Sequence, residues 1–548
     1  MGGCQHFPRN TLECLSTGKL RHQRRVGALS RQPRRAGVLR RVSMSLRVLV
    51  CGGGNAAHVF LGELAARGHR TTLLSAYPGE ASRLRAGCEA NDGQVEVRGW
   101  SLDPSGENIG VIHGRPTSIV GSFAEAFAPP DTWSSAVERY DLILLSLPAF
   151  AHESYLQGVV PYIKRYSDDP DRLPVVLAAA VAQGGFDMAV RAALGGAGAV
   201  RTRVVIAGLE TLPWACRVVH TGRLVEVLGT KAEVDAAVAT YPDPSAARDV
   251  TATTLHMLQR VVGDTPKLRP ASGFLGIALM NINSYWHPTL LWHMWKDWDG
   301  KETFDAPPLL YENAPDDLAC DAMSAEVGEV VAALRGRYGS RLIDTLDSAT
   351  PVRDWFLRSY GQEPSLDTSS TAAMMRTNPA YKGLTHPMKV RPHVEGSKNL
   401  VPDFSHRYIT EDVPYGLVVT RGVAELAGVP TPTIDRVVAW AQRVAGLSYL
   451  VEREIDKPGG ELSHPGAEEP TATEGGGPPR MILGGDDIAR SRCPQRYGWF
   501  DIDWLMTSNG YCSSEPSCEL GDDEESWLRA KEDAAGEKKV ARKSSGAA

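Results

Sequence analysis

Apolar and polar positions divide the chain into two parts with different periodicities. From about residue 46 to residue 240, short runs of β-branched and other apolar residues alternate with longer stretches of helical spacing. Such alternation indicates βαβ units and a parallel sheet, as in a Rossmann-type domain. The predicted strands cover residues 46–51, 70–74, 141–146, 175–180, 204–209 and 223–228, and the predicted helices cover 56–67, 151–164 and 186–194.

The pattern changes after about Pro270, where apolar residues recur at helical spacing with little sign of strands. This periodicity predicts a second, mainly helical domain. The stretches that show it most clearly are 273–295, 323–335 and 433–451. We therefore expect an α/β plus all-α protein, with a Rossmann-type NAD(P)-binding domain over residues 44–270 and a helical substrate domain over 271–515.

Three segments resemble neither domain. Residues 1–43 are rich in arginine and contain a single acid, Glu13, as organellar transit peptides do. Met44 is an alternative start, so a targeting leader and a disordered extension both stay open. Residues 454–480 are rich in Gly, Pro and Glu and predict a flexible insertion, and the charged residues 516–548 predict a disordered tail. We expect a cytoplasmic protein, or an organellar one if the leader is a transit peptide.

Composition limits the classes of partner. The chain is 43% hydrophobic and 23% charged, which is typical of a soluble globular protein. A net charge of -6 gives no reason to expect nucleic acid. The nine cysteines form no CxxC pair, which argues against a zinc site or a disulfide framework, and no apolar run approaches the roughly 20 residues of a membrane span. We expect small-molecule substrates, no metal, no membrane, and a monomer or homodimer.

The clearest candidate site is the stretch LRVLVCGGGNAA at residues 46–57. It reads as a strand, a tight turn and the start of a helix, and Gly52, Gly54 and Ala57 have the spacing of a dinucleotide fingerprint. Glycine permits the turn and the close approach of a pyrophosphate, which the free N–H groups of the helix then bind. The residues predicted to bind the cofactor here are Gly52, Gly53, Gly54, Asn55, Ala56 and Ala57.

The choice between NAD(H) and NADP(H) stays open. An acid at the end of the second strand normally holds the ribose 2′-hydroxyl, but residues 74–77 read Leu-Ser-Ala-Tyr. Ser75 is the remaining candidate for a polar contact with the ribose. Arg83 and Arg85 follow, although two exposed arginines on a helix are an ordinary solvated face. After the predicted strand 141–146, the proline turn at Pro148 either lines the nicotinamide side or simply ends the strand.

Two further segments carry candidate chemistry. His287 precedes a proline in a helical stretch, where a lone histidine is more often a core residue than a catalyst. Arg407 and Asp412 stand five residues apart near a predicted helix start at residues 410–414. There they either point into one cleft or form a capped helix with a surface ion pair, which contributes little.

Taken together, these segments resemble the octopine and opine dehydrogenases over roughly residues 46–506. The matching runs are GGGN at 52–55, ETLPWACR at 210–217, NINSYWHP at 281–288, NPAYKGLTHPM at 378–388, HRYITEDVP at 406–414, GVPTPTID at 428–435 and CPQRYG at 493–498. The family has a Rossmann domain followed by a helical domain, with the substrates bound between them. Its members use NAD(P)H to join the amino group of an amino acid to a 2-oxo acid, typically pyruvate.

Carried over by position, the resemblance implies a catalytic role for His287 as acid/base and for Asp412 as its partner. It implies that Arg407 binds the carboxylate of the oxo acid, and it places Glu210 and Cys216 near the substrates. Histidine exchanges protons near neutral pH and a guanidinium binds a carboxylate through two parallel hydrogen bonds, so the residue types suit the reaction.

Two alternatives stay open. One is a two-domain NAD(P)-dependent reductase of 2-oxo or 3-hydroxy acids that uses no amine. The other is a nucleotide-binding regulator without catalytic activity, against which His287, Arg407 and Asp412 argue together.

Overall fold

The computed structural model describes residues 45–99, 102, 109–128, 137–166, 174–182, 184–195, 203–243, 247–361, 363–391, 399–453 and 480–513. The predictions for the arginine-rich leader, for nearly all of the insertion and for the charged tail lie outside these residues.

The first half of the described chain alternates strands and helices. Its strands are β1 Arg47–Cys51, β2 Arg70–Leu74, β3 Val95–Gly99, β4 Gly110–Gly114, β5 Ser118–Val120, β6 Leu142–Leu145, β7 Val175–Ala179, β8 Val204–Leu209, β9 Trp214–His220, β10 Leu224–Thr230, β11 Glu233–Tyr241 and β12 Lys267–Pro270. Its helices are α1 Asn55–Ala66, α2 Glu80–Glu89, α3 Phe123–Ala126, α4 Ala149–Ile163, α5 Phe186–Leu194 and α6 Ala247–Val262. Every strand and helix predicted in this half is present within a few residues of its expected bounds.

The largest sheet of the described residues has eight strands in the order β12-β11-β8-β7-β6-β1-β2-β5. The strands from β8 to β5 run parallel, whereas β11 is antiparallel to β8. In this sheet β2 lies on one side of β1 and β6 lies on the other, so the strand order reverses between β1 and β6. Cofactors bind outside the carboxyl ends of the strands at such a point, where residues 52–54 and 146–149 lie.

One strand prediction assigned the wrong sheet. The run at residues 223–228 forms β10, but β10 belongs to a separate sheet with the order β4-β3-β10-β9 and pairs antiparallel with β9. This smaller sheet packs on α1 so closely that a Cβ at Gly62 would lie 2.6 Å from the Val97 side chain, and a Cβ at Gly114 would collide with the Gly62 carbonyl oxygen. Periodicity predicts a strand but not its neighbours, which explains the error.

The second half of the described chain is mainly helical, as expected. Its helices are α7 Phe274–Leu279, α8 Ile282–Trp295, α9 Ala319–Tyr338, α10 Val352–Tyr360, α11 Thr371–Thr377, α12 Arg407–Thr410, α13 Val418–Ala427, α14 Pro432–Ala445 and α15 Ile502–Ser508. Two antiparallel strand pairs interrupt them, β13 Met388–Val390 with β14 Leu400–Pro402 and β15 Leu450–Arg453 with β16 Arg480–Leu483.

Both faces of the eight-stranded sheet are buried, which explains why its central strands lack a polar–apolar alternation. In β1, Val48 and Val50 join an apolar cluster on the α1 face, and Leu49 joins the cluster on the other face. That second cluster continues without a break into the helical half, where it includes Trp286 and Val423. The shared core therefore holds the helices against the sheet.

Candidate active site

The glycine turn after β1 has a different geometry at each glycine. Gly52 has φ of +116°, and a Cβ there would lie 2.5 Å from the carbonyl oxygen of Ser146 at the end of β6. Only glycine fits this backbone without strain. Gly54 has φ of −80°, and a Cβ there would meet no described atom within 4 Å. A side chain at Gly54 would therefore fill the space in front of the helix start.

The residues around this turn fit a dinucleotide. Helix α1 begins at Asn55 without a side-chain cap, which leaves its first N–H groups directed at the region where a pyrophosphate binds. Ala56 and Ala57 are buried, and the Asn55 side chain accepts a hydrogen bond from the Val218 amide on β9. The buried hydroxyl of Ser146 lacks a hydrogen-bond partner among the described residues. A cofactor bound here would supply hydride.

Ser75 at the end of β2 is fully buried and donates its hydroxyl to the carboxylate of Glu80. A side chain at Gly53 would collide with that same carboxylate. An acid therefore does lie at the end of β2, beside the glycine turn. This acid could not be predicted from the residues at the end of β2, because Glu80 reaches the site from the first turn of α2, five residues beyond Ser75.

The turn after β6 is held by residues of the helical half. Pro148 precedes α4 and is partly buried. The amide of Ala149 donates to Oε1 of Glu411 at 2.9 Å, and its carbonyl oxygen accepts from the Arg492 guanidinium at 2.6 Å. The edge of the predicted nicotinamide site is thereby fixed to the second half of the chain.

His287 and Asp412 lie in direct contact. Nδ1 of His287 is 2.7 Å from Oδ2 of Asp412, and Nε2 is 3.1 Å from the hydroxyl of Tyr311. The ring of Tyr408 stacks on the imidazole at a centroid distance of 3.7 Å. Asp412 is 1% exposed and His287 is 9% exposed, so the pair is shielded from water. The carboxylate fixes Nδ1 as a donor, so that Nε2 faces the Tyr311 hydroxyl.

The local structure around Arg407 differs from the sequence expectation. Helix α12 begins at Arg407, and the ring of His406 accepts from the Tyr408 amide as its cap. Asp412 precedes a π-helical turn at Val413–Leu417 and caps nothing, because its carboxylate is bound to His287. Arg407 forms an ion pair with Glu411 at 2.9 Å, while half of its side chain (51%) stays exposed. The helix start predicted at residues 410–414 is confirmed, since the π-helical turn begins at Val413, but the side-chain cap of the second alternative is absent there.

Glu210 directly follows β8, and Cys216 lies on β9. The Glu210 carboxylate is within 3.2 Å of the Arg358 guanidinium and 3.4 Å of the Trp355 indole nitrogen, both on α10. The Trp355 ring in turn contacts the ring of Trp286, next to His287. Burial raises the pKa of Glu210, and Arg358 opposes that rise. Burial also raises the pKa of the Cys216 thiol to about 11, which keeps the thiol protonated at neutral pH.

Comparison with known proteins shows the family of this chain. The family model for the α-helical domain of NAD/NADP octopine/nopaline dehydrogenases matches residues 270–445. Octopine dehydrogenase of Pecten maximus is 34% identical over 473 residues, which cover 85% of this chain and 99% of that protein. The chain belongs to the octopine dehydrogenase family. Tauropine dehydrogenase of Arabella iricolor is a further relative, 30% identical over 83% of this chain and 99% of its own.

The octopine dehydrogenase fold is shared as well. A solved structure of octopine dehydrogenase with NADH and pyruvate superimposes with a TM-score of 0.63 at 31% identity, over 84% of this chain and 98% of that one. These findings confirm the predicted fold class and the resemblance to opine dehydrogenases. They also confirm the assignment of the chain as an NAD(P)-dependent oxidoreductase of the CH–NH class.

Two residues of this candidate site, Tyr311 and Glu80, lie outside the runs that the sequence indicated and reach the site through folding. Tyr408 and Glu411 lie within the run at 406–414, but the sequence assigned them no role. Within the described ranges, no group of three or more His, Cys, Asp or Glu side chains is arranged to hold a metal ion. In the same ranges, no helix combines the length and the hydropathy needed to cross a membrane.

Proposed function

We propose that the chain joins the amino group of an amino acid to a 2-oxo acid such as pyruvate, with NAD(P)H as reductant, and that His287, Asp412 and Arg407 carry the reaction. The observation behind this proposal is the contact between His287 and Asp412, on a segment that also carries Arg407. Arg407 and Asp412 are five residues apart in the chain. The acid–base pair and the carboxylate-binding group therefore lie on one segment, beside the turn after β6 at Ala149.

The roles follow from the chemistry of the substrates. Arg407 binds the carboxylate of the oxo acid through its exposed half, which orients the carbonyl carbon. The amine attacks that carbon, and its two protons pass by way of His287 Nε2 to the carbonyl oxygen, which leaves as water when the imine forms. A bound NAD(P)H would supply the hydride to the imine carbon, and His287 supplies the proton to the nitrogen, which gives the secondary amine. Asp412 stabilises the imidazolium form of His287 and holds its ring in place.

The remaining predicted residues fit supporting roles. The backbone at residues 52–57 holds the pyrophosphate, and Pro148 lines the nicotinamide side. Glu210 and Cys216 form part of the wall near the substrates. Because the Glu210 carboxylate is bound to Arg358, we expect it to shape the wall together with α10.

The decisive experiment measures NADH and NADPH oxidation with pyruvate, with and without a panel of amino acids and related amines. An opine dehydrogenase requires the amine, so pyruvate alone should give little turnover. Equal cofactor oxidation with and without any amine would favour the reductase that uses no amine. The product of the amine-dependent reaction, a secondary amine dicarboxylate or its analogue, is identified by mass spectrometry.

A further inference from the structure

Two consecutive buried carboxylates serve different partners in this site. Asp412 binds His287, whereas Glu411 lies between Arg407 and the backbone of Ala149. Glu411 is 1% exposed. Its Oε1 accepts from the Ala149 amide at 2.9 Å and its Oε2 lies 2.9 Å from the Arg407 guanidinium. One side chain therefore joins the cofactor-side turn to the predicted carboxylate-binding group.

The Ala149 end of this connection is rigid. The carbonyl oxygen of Ala149 accepts from Arg492, which also donates to the carbonyl oxygen of Ala182 just beyond β7. Arg492 is 1% exposed and lies over the ring of Tyr415. The peptide at the turn is thus bound on one side by Glu411 and on the other by Arg492. Its position relative to the helical half is determined by two buried charged side chains.

The Arg407 end is held by fewer neighbours, since half of that side chain is exposed. A long exposed arginine has many rotamers, and ordering it costs conformational entropy. A buried carboxylate at 2.9 Å selects one of them, and burying that carboxylate is costly unless it is paired. The pairing therefore stabilises Glu411 and orders Arg407 at the same time.

We infer that Glu411 is a positioning residue that sets the distance between the guanidinium of Arg407 and the nicotinamide-side turn. This inference rests on the proposed role of Arg407 as the carboxylate-binding group. Hydride transfer needs the acceptor carbon at one place over the nicotinamide, and a displacement of about 1 Å can cost on the order of 10²-fold in rate. Because the same glutamate contacts both sides, its length determines that distance.

Glu411→Gln tests the inference. The amide oxygen can still accept from Ala149, but the ion pair with Arg407 is lost. We expect the affinity of the NADH complex for oxamate, an analogue of pyruvate, to fall about tenfold or more, since the ion pair that orders the Arg407 guanidinium is removed. The KM for the oxo acid should rise and kcat should fall, while the Kd for NADH stays unchanged. Glu411→Asp is a second variant: it keeps the charge but is too short for both contacts, so kcat should fall more than KM rises.

Glu153→Gln is the matched control. Glu153 lies one turn further along α4 and pairs with Arg496 of the C-terminal half, with its side chain 48% exposed. This variant loses an ion pair between the same two halves and should keep the wild-type oxamate affinity. A double-mutant cycle of Glu411→Gln with Arg407→Lys separates positioning from a general effect on folding, because coupled residues are not additive.

The outcomes distinguish this inference from the proposed function. If Arg407→Met leaves oxamate binding unchanged, the assigned role of Arg407 is wrong and the inference fails with it. If Arg407→Met abolishes binding but both Glu411 variants behave as wild type, only the inference is overturned. The same holds if the Glu411 and Arg407 effects simply multiply, or if Glu411→Gln weakens NADH more than oxamate.

Discussion

Nδ1 of His287 lies 2.7 Å from Oδ2 of Asp412, although 125 residues separate the two in the chain. The histidine comes from α8 and the aspartate from the segment that connects α12 to the π-helical turn. The second carboxylate oxygen of Asp412 is buried and lacks a hydrogen-bond partner within the described part of the chain. Within the described chain, the hydrogen bond of the Asp412 side chain is therefore the one to the imidazole, as expected of a group that stabilises an imidazolium.

The first prediction concerns this pair. His287→Ala and Asp412→Asn should each reduce kcat/KM by about 10²–10⁴-fold, the usual contribution of general acid–base catalysis. The double variant should be little worse than the more damaging single one, because the two residues act as one unit. Kinetic measurement of the complete cycle, with NADH affinity as the control, tests this. Effects that multiply, or near-full activity of His287→Ala, would return His287 to the role of a core residue.

The glycine turn predicts two contrasting variants. Gly54→Val should fold normally, since φ at this position suits any residue and no described atom lies within 4 Å of a Cβ there. It should nevertheless weaken NADH binding, because the side chain fills the space of the pyrophosphate. Gly52→Ala should instead lower stability by about 1–3 kcal/mol, the usual cost of a strained backbone. Fluorescence titration and thermal unfolding separate the two effects, and a folded Gly54→Val protein with wild-type affinity would refute the first.

Glu80 predicts a preference for NADH over NADPH. Its carboxylate lies beside Gly53 and Ser75, where it can accept from a ribose 2′-hydroxyl and repel a 2′-phosphate. We expect kcat/KM with NADH to exceed that with NADPH by about tenfold or more. Glu80→Gln should raise kcat/KM with NADPH and so bring it closer to kcat/KM with NADH. A wild-type enzyme that prefers NADPH would contradict the assignment, and Glu89→Gln at the other end of α2 is the control.

His58 predicts a specific dependence of stability on pH. Its Nδ1 donates to the Gly54 carbonyl oxygen and its Nε2 accepts from the Gly222 amide, so the ring is neutral and connects the glycine turn to the β9–β10 hairpin. Burial lowers the pKa of His58 below its usual 6.5. His58 therefore binds a proton in the unfolded chain at a pH at which it stays neutral in the folded protein. The free energy of unfolding decreases as the pH falls below about 6.5.

A non-titrating variant isolates this contribution. His58→Gln should be less stable than wild type at pH 7.5, because two hydrogen bonds are disturbed. The difference in Tm should become smaller as the pH falls towards 5.5, since only the wild type loses stability through His58. A difference that stays constant over this range would show that His58 does not titrate there. Comparison of the two proteins cancels the contributions of the other histidines.

The sequence predicted those parts of the fold that depend on near neighbours. The strand, turn and helix at residues 46–67 and the helical spacing after Pro270 follow from steric and hydrophobic preferences that act over a few residues. It also indicated His287, Arg407 and Asp412 as candidates, through the resemblance of their segments to a family. It did not predict that β10 leaves the main sheet, because pairing partners are chosen over long distances.

By itself, then, the sequence determined the order of elements, the glycine turn and the chemical types available to the site. Tertiary structure decided which of these types meet. In the folded chain Glu80 lies at the end of β2. Asp412 binds His287 and does not cap a helix, and Glu411 contacts both Arg407 and Ala149. Burial makes an unpaired charge costly. The carboxylates of Asp412 and Glu411 are buried, so each is stabilised by a partner that lies close to it only in the folded chain.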